Sequence, residues 1–158
     1  MSLRDRLESK QRRRVTWTVE VSDPSTTQAR VAAARAQLAQ AEALETSEES
    51  RAALAAELAD AERAVATHYE QVQFEALDPD LFEAMLVEHS DAAGDVDRAR
   101  MRPALAAACA VDEGLRDEQW WADRFASGVW SKGEIDDLYH LLVTVLNYSV
   151  PRGAYSKG

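Results

Sequence analysis

Few residues of this 158-residue chain combine type and spacing in a way that could do chemistry. Asp136, Asp137 and His140 come nearest, because i,i+3 and i,i+4 spacings put a carboxylate and an imidazole on one helix face, as a divalent metal would require. A plainer reading competes: the helix dipole favours acidic residues in a first turn, and nothing elsewhere in the sequence completes a ligand set. Cys109 is the single cysteine, so no internal disulfide is possible. It lies in Ala106-Ala107-Ala108-Cys109-Ala110 without a nearby His or base to generate a thiolate, and reads as a small buried hydrophobe. His68 and His89 end amphipathic stripes and read as helix-end or half-buried residues. The chain contains no Gly-rich phosphate loop, nucleophile elbow, paired zinc-type cysteines or HExxH pattern. The sequence therefore predicts no catalytic residue, no metal ligand and no cofactor, and points away from an enzyme.

What the last third carries instead is aromatic density. Trp120, Trp121, Phe125 and Trp130 fall within eleven residues and hold three of the four tryptophans. Trp has a large apolar area on few rotatable bonds, so such a group builds either a core or a surface that grips another protein. Adjacent residues on a helix point about 100° apart, so Trp120 and Trp121 cannot both enter one core and one of them is expected near a surface. These four residues are the candidate partner-binding set.

Composition narrows the partners. A formal charge of −10 and 29% charged residues describe a soluble, acidic body, unsuited to a nucleic-acid phosphate backbone. The sign is uneven: Arg4, Arg6, Lys10, Arg12, Arg13 and Arg14 against Asp5 and Glu8 make residues 1–14 a +4 arm on a −14 remainder. Two uses of that arm follow, a solvated helical extension lying on the chain's own acidic surface, or docking onto an acidic partner or a neighbouring subunit, the latter through Arg4, Arg6, Arg12, Arg13 and Arg14. No run approaches the roughly 18 apolar residues of a membrane span, and the N-terminus lacks the apolar core and cleavage site of a signal peptide. A cytoplasmic protein with no membrane partner is expected. Arg outnumbers Lys 15 to 3 and alanine is abundant, the mark of a GC-rich genome.

The elements that position these residues show in the hydropathy pattern. Val15, Trp17, Val19 and Val21 alternate with polar residues as in a half-buried strand, ended by Asp23-Pro24. Two helices follow, from about Ser25 to Leu44 and from a capping-box signature at Thr46-Ser47-Glu48-Glu49. Val31, Ala34, Leu38 and Ala41 form the seam of one, Leu54, Leu58, Ala61 and Val65 that of the other. Tyr69 to Leu77 alternates again, with Val72, Phe74 and Ala76 on one face. An up-and-down helical pair returns the chain to its start, so the two strands can pair antiparallel. Asp78-Pro79 opens a helix lined by Leu81, Phe82, Met85, Leu86 and His89. A polar loop from Ser90 to Asp97 leads to an apolar helix predicted from about Pro103 to Val111. Asp117 caps the Trp-bearing helix, and Ser131-Lys132-Gly133-Glu134 is a second capping box, followed by Ile135, Leu138, Leu141, Leu142 and Val145 on an inward stripe. The expected fold is α+β, mostly α: a basic arm (1–14), a strand, helical hairpin and strand (15–77), a cluster of short helices (78–150) and a tail (151–158).

In order along the chain, these segments resemble the tail assembly chaperones of long-tailed bacteriophages, particularly those of phages and prophages of GC-rich actinobacterial hosts. The resemblance rests on Leu3-Arg4-Asp5-Arg6-Leu7 leading into Arg12-Arg13-Arg14, on Val21-Ser22-Asp23-Pro24 and the helical hairpin, and on Val72-Gln73-Phe74-Glu75-Ala76-Leu77. It continues through Pro103-Ala104-Leu105-Ala106-Ala107-Ala108-Cys109-Ala110, Trp120-Trp121, Gly133-Glu134 and Leu146-Asn147 to Ser156-Lys157-Gly158. It implies a helical protein that self-associates, binds the long hydrophobic tape-measure protein, keeps it soluble and helps tail-tube subunits assemble around it in the bacterial host cytoplasm. It also implies a longer product made by programmed frameshift, which the codons for Ser156-Lys157-Gly158 would permit. The family has no catalytic residues. A structural tail or neck component of a phage-like particle is the alternative, distinguished by its presence in finished particles.

Overall fold

In a computed structural model, residues 1–148 are described. The expected tail from Pro151 and the Ser156-Lys157-Gly158 run lie outside the described residues. The fold is α+β and mostly α, with one two-stranded antiparallel sheet and, among the described residues, seven α-helices. They run in the order α1 (Leu3–Glu8), β1 (Arg14–Glu20), α2 (Ser25–Ala43), α3 (Glu48–Ala66), β2 (Tyr69–Glu75), α4 (Pro79–Glu88), α5 (Arg98–Cys109), α6 (Glu118–Ala126) and α7 (Lys132–His140). A 3-10 turn covers Glu113–Leu115, and a π-helix, Leu141–Tyr148, continues α7. The chain forms two compact units. Among the described residues, one comprises Met1–Trp17 and the chain from Val72 to Tyr148, the other Thr18–Gln71, so both strands pass from one unit into the other.

The Thr18–Gln71 unit is the α2–α3 hairpin with the adjoining strand ends. Ala34, Ala41 and Ala61 are the buried residues of the two helices, and Val31, Leu38, Leu54, Leu58 and Val65 flank them half-buried, the two expected seams. Alanine at the centre lets the helices approach closely. The corner is a Schellman motif: Glu45 N–H donates to Glu42 O (3.2 Å) and Thr46 N–H to Ala41 O (3.1 Å). Its left-handed position is held by Glu45, at φ 49°, instead of a glycine. The capping box expected at Thr46 is displaced by one residue. Ser47 is the N-cap and accepts from Ser50 N–H at 3.2 Å, and because residue Ser50, not a Glu, then stands at the third position, the reciprocal bond is missing. Ser22 and His68 join the strand ends through Oγ and Nδ1 at 2.7 Å.

In the other unit α5 is central, with Met101, Leu105, Ala106 and Cys109 essentially inaccessible. It starts at Arg98, ahead of the predicted Pro103, because Asp97 caps it by accepting from Ala99 N–H (3.1 Å) and Arg100 N–H (3.2 Å). Pro103 therefore lies inside the helix, where it removes one backbone bond. In α4, Phe82 and Met85 are buried as expected, His89 is the C-cap and is buried more deeply than the expected half-buried helix end, and Leu81 is half exposed and lies off the stripe. Asp78, Asp117 and the Ser131–Glu134 capping box are in place as expected. The last stripe is corrected by one residue: Leu138, Leu142 and Leu146 are buried, and Val145 is half-buried. Residues four apart in an α-helix drift by about 40° per step. The wider π turns wind each residue through a smaller angle and return Leu146 to line. Asn147 fixes this segment, its Nδ2 donating to Leu142 O (2.7 Å) and its Oδ1 accepting from Leu77 N–H (2.9 Å).

Candidate partner-binding surface

Asp117 sets the start of α6 by accepting from Trp120 N–H at 3.0 Å, and so fixes where the Trp pair points. Trp121 turns inward. Its indole N–H donates to Leu115 O (2.7 Å), and its ring contacts Phe74 (centroids 6.1 Å), Phe125 (5.6 Å) and Trp130 (6.2 Å). At 1% exposure it is a core residue, so the expectation that it touches a partner is corrected. Trp120 stands edge-on to it, rings 5.0 Å apart and 88° between planes, and is 38% exposed. The division expected of adjacent helical residues is thus the one observed. The Arg124 guanidinium lies 6.0 Å from the Trp120 ring centroid, within cation–π range.

Phe125 and Trp130 are half-buried and contact each other at 5.8 Å. Between them Gly128 takes φ 75°, which turns the chain after α6 and leaves Val129 83% exposed. Trp17 of β1 packs on Trp130 at 5.2 Å. Trp17 and Phe74 belong to the cluster although sequence reasoning placed them only on strand faces. The signal for them was the period-two alternation, which put both on the apolar side without showing which helix covers it. The three partly exposed rings, Trp120, Phe125 and Trp130, each contact the buried Trp121, and exposed Val129 precedes Trp130 in the chain; these four residues are the candidate ledge. Elsewhere in the same unit a groove of about 780 Å³ runs beside α5, with Ala104, Ala107 and Ala122 along it and Glu88, Arg100, Arg116 and Glu118 among its lining.

Asp136 is held by Lys132 and by Arg102 (2.5 Å), and the Lys132 hydrogen bond leads the effects that lower its pKa. Among the described residues no group of three or more His, Cys, Asp or Glu side chains could hold a metal ion. Burial pushes the Cys109 thiol up to about 11, and Asn147 Nδ2 approaches its sulfur at 3.7 Å. His89 is buried with Nδ1 2.8 Å from Met85 O. In the arm, Arg4 pairs with Glu8 (2.7 Å), Arg14 with Glu75 (2.7 Å) and Arg12 lies 3.9 Å from Asp78. Its base therefore lies on the chain's own acidic residues, while α1, with Leu3 and Leu7 exposed, buries nothing. Among the described residues no helix is long and apolar enough to cross a membrane.

No family model, no curated protein and no solved structure matches this chain.

Proposed function

We propose that the protein is a tail assembly chaperone of a long-tailed bacteriophage, acting in the host cytoplasm on the tape-measure protein while tail-tube subunits assemble around it. The observation that supports this reading is the ledge: Trp120 is 38% and Val129 83% exposed, Phe125 and Trp130 are half-buried, and all three rings pack on the buried Trp121. A rigid aromatic surface on an acidic, soluble body suits an apolar helical client, since Trp anchors contribute strongly to binding and the net charge resists precipitation of the complex. Self-association belongs to the same reading, with the basic arm of one copy against the acidic surface of the next.

Co-expression with the tape-measure protein is the test. The wild type should keep the client soluble and co-purify with it. Trp120→Ala, which removes an exposed ring, should lower co-purification about tenfold or more while the circular dichroism spectrum stays that of the wild type. Unchanged co-purification by a folded Trp120→Ala, Val129→Asp double variant would overturn the ledge as the binding surface, and a wild type that never retains the client would overturn the function.

A further inference from the structure

The two edges of the sheet are treated differently. On the outer side of β2, Val111 N–H donates to Gln73 O at 3.0 Å, and Phe74 forms an antiparallel bridge with Ala110, so part of that edge is covered. The outer edge of β1 has no strand against it among the described residues. Ala76 N–H donates to Arg13 O, and Val21 N–H to His68 O, each at 2.8 Å. In an antiparallel ladder those bonds recur at every second residue. Val15, Trp17 and Val19 therefore face β2 with their backbone groups, and Arg14, Thr16, Thr18 and Glu20 turn theirs outward. An edge without proline, lysine or a bulge is a template for another strand.

The sequence of that edge is its own complement. Arg14-Val15-Thr16-Trp17-Thr18-Val19-Glu20 reads the same in both directions except that its ends carry opposite charges. We infer that β1 pairs antiparallel with β1 of a second copy of this chain, on a two-fold axis through Trp17, joining two sheets into one of four strands. This register sets Arg14 opposite Glu20, Thr16 opposite Thr18 and Val15 opposite Val19 of the second copy. Every pair that must exchange backbone bonds then consists of two outward-facing residues, and a shift by one residue would break that match. Because the axis is perpendicular to the sheet, the apolar side of Val15, Trp17 and Val19 stays continuous and the polar side of Arg14, Thr16, Thr18 and Glu20 likewise. Arg14, already 2.7 Å from Glu75, would lie between two carboxylates, and Glu20, which has no ion pair among the described residues, would gain one. A two-stranded sheet is marginal by itself, and pairing doubles it. The inference is independent of the client-binding reading.

Sedimentation of the full chain over a wide concentration range tests this, together with backbone amide exchange. The wild type should dimerise, and the Thr16, Thr18 and Glu20 amides should gain protection with concentration. Thr18→Pro removes an outward N–H that β2 does not use, and should weaken association about tenfold or more. Arg14→Glu and Glu20→Arg should each be weaker dimers alone, whereas an equal mixture should recover a dimer, because each bears the charges the other lacks. That recovery separates a lost contact from a lost fold. A monomeric wild type, a dimer indifferent to Thr18→Pro, or a mixture no tighter than its parts would overturn the inference.

Discussion

Trp120 and Trp121 are chain neighbours in opposite environments, and their substitutions should separate binding from stability. Trp121→Ala empties a site walled by Phe74, Phe125 and Trp130, and large-to-small changes of a buried aromatic cost about 3–5 kcal/mol. Thermal or urea unfolding should show that loss, whereas Trp120→Ala should lose about 1 kcal/mol or less and act on the client instead. Cys109 gives a residue-scale prediction in pH. Its thiol is raised from 9.0 to about 11 by burial, so the folded state prefers the protonated form. That preference is fully present below pH 9.0 and is lost as pH rises towards about 11. Unfolding midpoints of the wild type should fall over this window more steeply than those of Cys109→Ala, measured relative to each protein's value at pH 8. At this scale the caps were the most legible feature, because Asp78, Asp117 and Ser131 each act on backbone N–H groups two or three residues away. Trp17 and Phe74 were not joined to the Trp cluster in advance, because their partners are distant in sequence and alternation names a face without naming its cover.

Among elements, the hairpin shows where a local rule is broken at a measurable cost. Glu45 occupies the left-handed position of the α2–α3 corner, where a side chain costs about 1 kcal/mol that glycine avoids. Glu45→Gly should therefore raise stability by about 0.5–1 kcal/mol, read as an upward shift of the urea midpoint with an unchanged slope. Asn147 makes the opposite prediction. Its amide serves Leu77 N–H and Leu142 O together, and Asn147→Ala removes both bonds and takes the acceptor from Leu77 N–H in half-buried surroundings, so a loss of about 1–3 kcal/mol is expected by the same measurement. The hairpin seams were legible because 3-4-3 and 4-3-4 spacings of Val, Leu and Ala have one helical interpretation. The start of α5 was not, since proline is favoured in a first helical turn and points to a boundary at Pro103, while Asp97, six residues earlier, captures the Ala99 and Arg100 N–H groups. The π-helix left only a faint mark, three leucines at strict intervals of four. A leucine stripe drawn with α periodicity chose Val145 over Leu146 for that reason.

For the whole molecule, charge asymmetry is the property most plainly written in the sequence, and the structure refines which arginines can act between copies. Arg12 and Arg14 lie 3.9 Å and 2.7 Å from Asp78 and Glu75 of the same chain, so the base of the arm already answers local acidic charge. The division into two compact units was less legible, because it falls inside both strands, where composition does not change. What extends beyond the paired base is α1, with Arg6 on its last turn and Leu3 and Leu7 exposed. An exposed +4 arm beside a −14 remainder lowers the repulsion between like-charged bodies, and that help is confined to about 10 Å at 0.1 M salt. Substituting Arg4, Arg6 and Lys10 together by Glu turns the +4 arm into one of −2 and keeps Arg12, Arg14 and the whole of β1. The substituted chain should associate less than the wild type at low ionic strength, and the difference should fade as salt approaches 1 M, where the Debye length is about 3 Å. Pairing along β1, its Arg14–Glu20 contacts included, is common to both chains, so the difference between the two chains in light scattering at each ionic strength isolates the arm's contribution. Equal masses for both chains at low salt would remove the arm from the assembly and leave the strand edge as its only described route.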